Sequence, residues 1–318
     1  MSDPAAAPAR PAALTVLRVA AVFTFLACAM GAVVCATKSG ASCPTWPGCR
    51  RGTVTPQWAL SPVIEFTHRV VAVSVGPLVL AAGILLLRRP EMARWIRVTP
   101  WLALVGAGLS GLFGRMVVVS TLPTPLAGID LFCALAAMTG MGVAAVRAGR
   151  PLGTPGTAAS PAEAAVGRLA AGGVGAVVAL HVSAIFVSGT GSYTGCVGWP
   201  IWRTVSGDKQ AWLQNGRLGL EAVAAVLVIA TAVAAARSPR LRRWGVALLA
   251  LLTGELVFGL VIRQGGIDNG RAATYSVLAT ALLSCLGLLA AVAGVSAPRA
   301  QGTTIDLSDR ELATPGPR

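Results

Sequence analysis

An all-α polytopic membrane protein, with eight transmembrane helices set as two pseudo-symmetric four-helix bundles, is the fold this sequence predicts. Three observations lead there. Of 318 residues, 55% are hydrophobic and only 12% charged, with a mean hydropathy of +0.71, too apolar for a water-soluble domain of ordinary composition. Eight apolar runs reach the length of about 20 residues that a helix needs to cross a bilayer. A loop-and-helix motif in the first half of the chain recurs, altered, in the second.

The spans are predicted over residues 14–36, 62–87, 99–119, 125–146, 168–188, 212–236, 244–264 and 271–296. The first lacks a short apolar core followed by a small-residue cleavage site and reads as an anchor, not a removable signal. An even count places both tails on one side. Lys and Arg concentrate in 88–97, 147–168, 237–243 and the tails, and are sparse in 37–61 and 189–211. By the positive-inside rule the former side is cytoplasmic, giving a multi-pass protein of the cell membrane with both termini inside. The formal net charge of +14 is thus a topology signal. Its arginines lie in short loops between apolar runs and not on a basic surface interleaved with aromatics, so nucleic acid is not an expected partner; the lipid bilayer is. The resulting divisions are a cytoplasmic tail 1–13, a four-helix half 14–146, a Gly/Pro/Ala/Ser-rich cytoplasmic linker 147–167, a second half 168–296 and a disordered tail 297–318.

The repeat supports two halves sharing one orientation, related by an axis along the membrane normal. Thr37-Lys-Ser39 and Cys43-x-x-Trp46-Pro47 return as Thr190-Gly-Ser192 and Cys196-x-x-Trp199-Pro200, with Trp202 in place of Cys49. The helix opening Glu65-Phe-Thr-His68-Arg69 corresponds to Leu213-Gln-Asn215-Gly216-Arg217. Glycines 106, 108, 111 and 114 in the third span and 254 and 259 in the seventh are expected to let helices approach closely.

Chemistry concentrates in the first copy. Cys43 and Cys49 lie in a loop on the outward side, where disulfides persist, and their spacing is short enough to close on itself. Cys28, Cys35, Cys133 and Cys285 read as small buried hydrophobes; Cys196 has no obvious local partner. Glu65 and His68, three residues apart, share a helix face within about two turns of the outer end. Intramembrane ionisable groups point to function. The alternative is an interfacial ion pair between Glu65 and Arg69, with His68 completing a network.

Cys-Pro-x-Trp-Pro-x-Cys followed by Glu-Phe-x-His-Arg, in an eight-span, two-half chain, resembles the heme A synthase family over about 14–296. The resemblance implies oxidation of the C8 methyl of heme O to the formyl of heme A for cytochrome oxidase assembly. It implies substrate heme in the first half and a heme b cofactor in the second. Glu65 would be the acid near the reacting edge, His68 an axial iron ligand with Arg69 beside it, and Cys43 and Cys49 an outer-loop disulfide or thiol pair. The implied partners are a farnesyltransferase that supplies heme O and the cytochrome oxidase assembly machinery.

The family's pattern also places histidines on the fourth, sixth and eighth helices. This chain has only His68 and His181. Asp130 ends the run Leu122-Pro-Thr-Pro-Leu-Ala-Gly-Ile-Asp130 where the fourth-helix histidine belongs; Asn215 or Gly216, and Tyr275 or Ser276, take the other two places. His181, on the fifth helix, is expected either to bond a neighbouring helix or to serve with His68 as second ligand of one iron. Asp130 is expected either to serve as an unusual oxygen ligand or to pair with Arg115 or Arg263, and Glu221 and Glu255 to pair with Arg217 or Arg263. Besides the enzyme, three readings stand: a non-catalytic heme-binding or oxidase assembly factor, a membrane thiol-disulfide oxidoreductase using Cys43 and Cys49, and a transporter on two parallel repeats.

Overall fold

A computed structural model describes residues 11–120, 122–149, 159–187, 196, 211–266 and 268–294. Its eight helices are α1 (Pro11–Ala36), α2 (Leu60–Leu87), α3 (Arg94–Val119), α4 (Thr124–Ala148), α5 (Pro161–Val187), α6 (Ala211–Ala236), α7 (Arg242–Gly265) and α8 (Asn269–Ala293). Each is long and apolar enough to span a membrane. Among the described residues there is no strand ladder beyond an isolated bridge between Arg50 and Thr53.

Two boundaries differ from the sequence expectation for identifiable reasons. Helix α3 begins five residues before 99: Arg94, Arg97 and Pro100 suggest a loop, yet Ile96 and Pro100 are buried and tie this turn to the core. Helix α5 begins at Pro161, inside the expected linker 147–167. Ser160 and Glu163 form a capping box, with Ser160 N donating to Glu163 Oε2 at 3.0 Å and Glu163 N to Ser160 Oγ at 3.2 Å, and proline suits the first helical position. Helix α4 likewise continues to Ala148. The tail from 297, most of the first tail and the central part of the linker lie outside the described residues.

Neighbour relations repeat between the halves. Helix α1 packs on α2 and α4, and α3 on α2 and α4; α5 packs on α6 and α8, and α7 on α6 and α8. The halves meet through α1–α8, α4–α8 and α4–α5. A twofold along the bundle exchanges the first and last of these seams and maps α4–α8 onto itself. Small residues set the closest approaches. A Cβ on Gly245 would lie 2.6 Å from the Ala232 carbonyl and 2.7 Å from the Ala236 nitrogen, so the α6 and α7 backbones touch there. Gly106 meets Cys133 of α4 and Gly254 meets Leu278 of α8, as expected of packing glycines; Gly108, Gly111 and Gly114 instead face open space. Two apolar clusters fill the bundles, one from α1–α4 around Leu17, Val79, Leu86 and Met141, the other centred on α8.

Candidate functional site

The site starts where α1 stops. Lys38 adopts φ +53, and Ser39 N bonds Val34 O at 2.9 Å while Lys38 N bonds Cys35 O at 3.1 Å, the paired bonds of a Schellman ending. This turn swings the chain back over the head of α2. Ser42 Oγ then donates to Glu65 Oε2 at 2.9 Å, and the Cys43 N–H to the same oxygen at 2.8 Å. Glu65 is 3% exposed.

Cys43 and Cys49 are disulfide-bonded, and Arg69 fills the ring this bond closes. Its Nη1 donates to Thr45 O at 2.6 Å and Gly48 O at 2.9 Å, its Nη2 to Cys43 O at 3.1 Å, and Nη2 also pairs with Glu65 Oε1. Carbonyls of a tight loop point inward and need donors; the planar guanidinium supplies several at once. Glu65 and Arg69 thus form the ion pair that the sequence left as an alternative, and together they clamp the loop to α2. Both cysteines are essentially inaccessible, 0% and 1% exposed, which removes the access that thiol exchange needs.

One turn below, the His68 ring lies on α1, 3.2 Å from where a Cβ on Gly31 would stand. The Ala27 backbone meets one edge of the imidazole, while Nδ1 is buried without a hydrogen-bond partner. An imidazole with one nitrogen left unpartnered keeps a lone pair that could ligate iron once the ring is uncovered. Asp130 of α4 lies beside Ser110 of α3 and close to Cys28 and Cys133. The expected lock with Arg115 or Arg263 is absent: Asp130 makes no salt bridge among the described residues, and both arginines are exposed at the bundle surface.

The second copy is built differently. Arg217, the counterpart of Arg69, turns inward and is 4% exposed. Its Nη1 donates to Leu180 O at 3.0 Å and Ser183 Oγ at 3.3 Å, and its Nε lies 3.5 Å from Glu221 Oε1. The reason is in the register: Leu213 replaces the acid four residues before, so the cation finds Glu221 four residues after. This settles the open Glu221 pairing. Glu255, fully buried on α7, bears on Tyr275 of α8 together with Glu221. His181 is 1% exposed, beside Arg217, with neither ring nitrogen hydrogen-bonded. Helices α2 and α5 do not pack on each other, since α1, α4 and α8 stand between them, so helix packing gives no support to His68 and His181 sharing one iron.

These donor sets decide what each half fits. In the first, an imidazole with an unpartnered nitrogen fits heme iron by its donor chemistry. In the second, Gly216 stands where the first half has His68, α8 offers Tyr275 and Ser276, and a guanidinium–carboxylate pair occupies the interior. That set does not fit a heme held by two imidazoles. Among the described residues no three His, Cys, Asp or Glu side chains converge as ligands of a bare metal ion.

A disulfide joins Cys35, on the last turn of α1, to Cys196. Sequence reading missed it, taking Cys35 for a buried hydrophobe and finding Cys196 no partner. The available signal was that Cys35, at the outer end of the first span, and Cys196, which opens the second Cys-x-x-Trp-Pro motif, belong to the same membrane surface. The remainder of that second loop, including Trp199, Pro200 and Trp202, lies outside the described residues.

The profile of a family described as cytochrome oxidase assembly protein matches residues 14–287. A heme A synthase from Halalkalibacterium halodurans is 33% identical over 90 residues, a stretch covering 28% of this chain and 30% of that relative. The chain thus matches about a third of the curated relative's length.

Proposed function

Because this chain belongs to the family of cytochrome oxidase assembly proteins, we propose that it is a heme A synthase-type membrane oxidoreductase that converts heme O to heme A by oxidising the C8 methyl group. The observation that carries this reading is the convergence of all parts of the Cys-Pro-x-Trp-Pro-x-Cys and Glu-Phe-x-His-Arg motif at the head of α2: a disulfide-closed loop, its Glu65–Arg69 clamp, and His68 one turn below. His68 would hold the iron of the substrate heme, which would supply the oxidising chemistry; taking a methyl to a formyl removes four electrons and brings in an oxygen atom from water, so an electron acceptor from outside this chain is required. Glu65 accepts a proton as the carbon–hydrogen bond is oxidised. Ser42 and Cys43 donate to its Oε2 and Arg69 to its Oε1, which leaves a lone pair on Oε1 to take that proton while the loop stays clamped. Cys43 and Cys49 keep the loop closed. Two grooves open along α4 and α5, and neither is lined by Glu65, His68 or Asp130. Seating a tetrapyrrole at His68 requires the α1–α2 contact at Gly31 to part, because the ring rests against α1 there. The basic helix ends face the cytoplasm, as do both termini, and heme O arrives from its farnesyltransferase within the same bilayer.

A non-catalytic heme-binding or assembly factor is the second reading, favoured by the second half's lack of an imidazole on α6 and α8. Heme extraction from the full chain co-expressed with a heme O source separates the two. The enzyme yields heme A; Glu65→Gln, which keeps the oxygen acceptor but loses the acid, leaves heme O unconverted; and His68→Ala retains neither. Bound heme without heme A in the unmodified chain selects the assembly factor. Absence of any heme overturns both.

A further inference from the structure

The α4–α5 seam is the looser of the two twofold-related contacts between halves, and it is open. A groove of about 680 Å³ runs along it, lined by both helices. A second, of about 370 Å³, adjoins it toward the basic ends of the helices, sharing Thr139 and Val174 and floored by Gly287, Ala290 and Ala291 of α8. Their wall on α4 descends from Arg147 through Val143, Gly140 and Ala136 to Phe132. Their wall on α5 descends through Ala171, Gly175 and Ala179 to Phe186. Both walls follow the three- and four-residue spacing of a single helix face, and that spacing carried one turn past Ala171 reaches Arg168, which is exposed. Phe186 closes the far end by packing where a Cβ on Gly128 would come within 2.7 Å.

We propose that this seam binds an anionic phospholipid of the leaflet on the basic side, its phosphate between Arg147 and Arg168 and one acyl chain laid along the groove. Charge complementarity argues for this occupant. The two arginines stand at the same end of the paired grooves and nowhere else along them, with Trp95 lining the mouth and partly exposed in the manner of an interfacial anchor. Basic pockets between helices at that surface bind anionic head groups. From Arg147 to Phe132 the wall extends about 22 Å at 1.5 Å per residue, enough for an extended acyl chain. Away from Arg147 its lining is almost wholly apolar, with Thr139 and Ser183 the hydroxyl exceptions, so it offers a chain mainly dispersion contacts. The site is independent of the heme chemistry proposed above.

Native mass spectrometry tests it on the full chain after reconstitution into nanodiscs of mixed phosphatidylglycerol and phosphatidylcholine and release into mild detergent. One phosphatidylglycerol per chain is expected to survive, in preference to phosphatidylcholine. At about fivefold per arginine near the surface, the Arg147→Gln/Arg168→Gln variant should bind it roughly thirtyfold more weakly. Because those changes also touch topology, Gly175→Leu serves as the second arm. Gly175 faces open space within the groove, so leucine there fills it while leaving both arginines, and should expel the lipid. Equal retention of the two lipids, an adduct indifferent to Gly175→Leu, or a dimer mass in place of the adduct overturns the proposal.

Discussion

Glu65 can be read as a catalyst or as a structural clamp, and its contacts show how the two are separated by substitution. Its carboxylate accepts from Ser42, from the Cys43 backbone and from Arg69, so Glu65→Ala leaves a largely buried guanidinium without its counter-charge and loosens the loop. Loss of one partner of a buried pair costs about 3–5 kcal/mol. Thermal unfolding in detergent should therefore show Glu65→Ala well below the parent, with Glu65→Gln much closer because its amide oxygen still accepts from the loop. If the two variants unfold alike, the carboxylate is not what holds the loop. The spacing of Glu65, His68 and Arg69 was legible in the sequence as a shared face. What Arg69 does was not, because a ring of loop carbonyls becomes a binding surface only after the loop has closed. Asp130 illustrates the converse: its charge suggested an arginine partner, but both candidates lie at the exposed bundle surface, and only the packing of α3 on α4 sets Ser110 beside it.

At the level of elements, the eight spans were legible because length and apolarity alone mark a helix that crosses a bilayer, while their ends depended on local chemistry. The capping box at Ser160 and Glu163 extended α5 by seven residues into what composition suggested was linker. Glycines were legible only as permission to approach. Gly108, Gly111 and Gly114 face open space, whereas Gly245, unremarked in the sequence, is where two backbones meet. Gly245→Ala should cost about 1–3 kcal/mol through overpacking, read as a lowered unfolding midpoint, while Gly111→Ala should be neutral or slightly stabilising. Equal effects would mean that the α6–α7 crossing is not set by this contact.

For the whole molecule, the duplicated architecture and its family were written in motif spacing. The divergence of the second half was written only in what was missing. Arg217 shows why the replacement could not be foreseen. It keeps the register of Arg69 but, without an acid one turn earlier, it folds inward onto Leu180 and Ser183 and makes an ion-pair layer inside the bundle. The bond between Cys35 and Cys196 ties the two halves covalently, and a cut in the linker should reveal it. With a protease site placed among residues 150–158, the cleaved chain should run as one band without reductant and as two with it. Cys35→Ser should give two bands in both lanes. Two bands from the unmodified chain without reductant would show that the halves are held by packing alone.

That crosslink also imposes an order on biosynthesis. Cys35 waits for a partner 161 residues downstream, a delay of about 10–30 s at ordinary elongation rates, while Cys43 and Cys49 emerge almost at once beside it. Correct pairing requires the nearer two to find each other first, leaving the earliest thiol of the three unspent until the ribosome has delivered the second half. Cells poor in disulfide isomerase should accumulate the Cys35–Cys43 or Cys35–Cys49 isomer, a maturation failure that begins before any substrate is met.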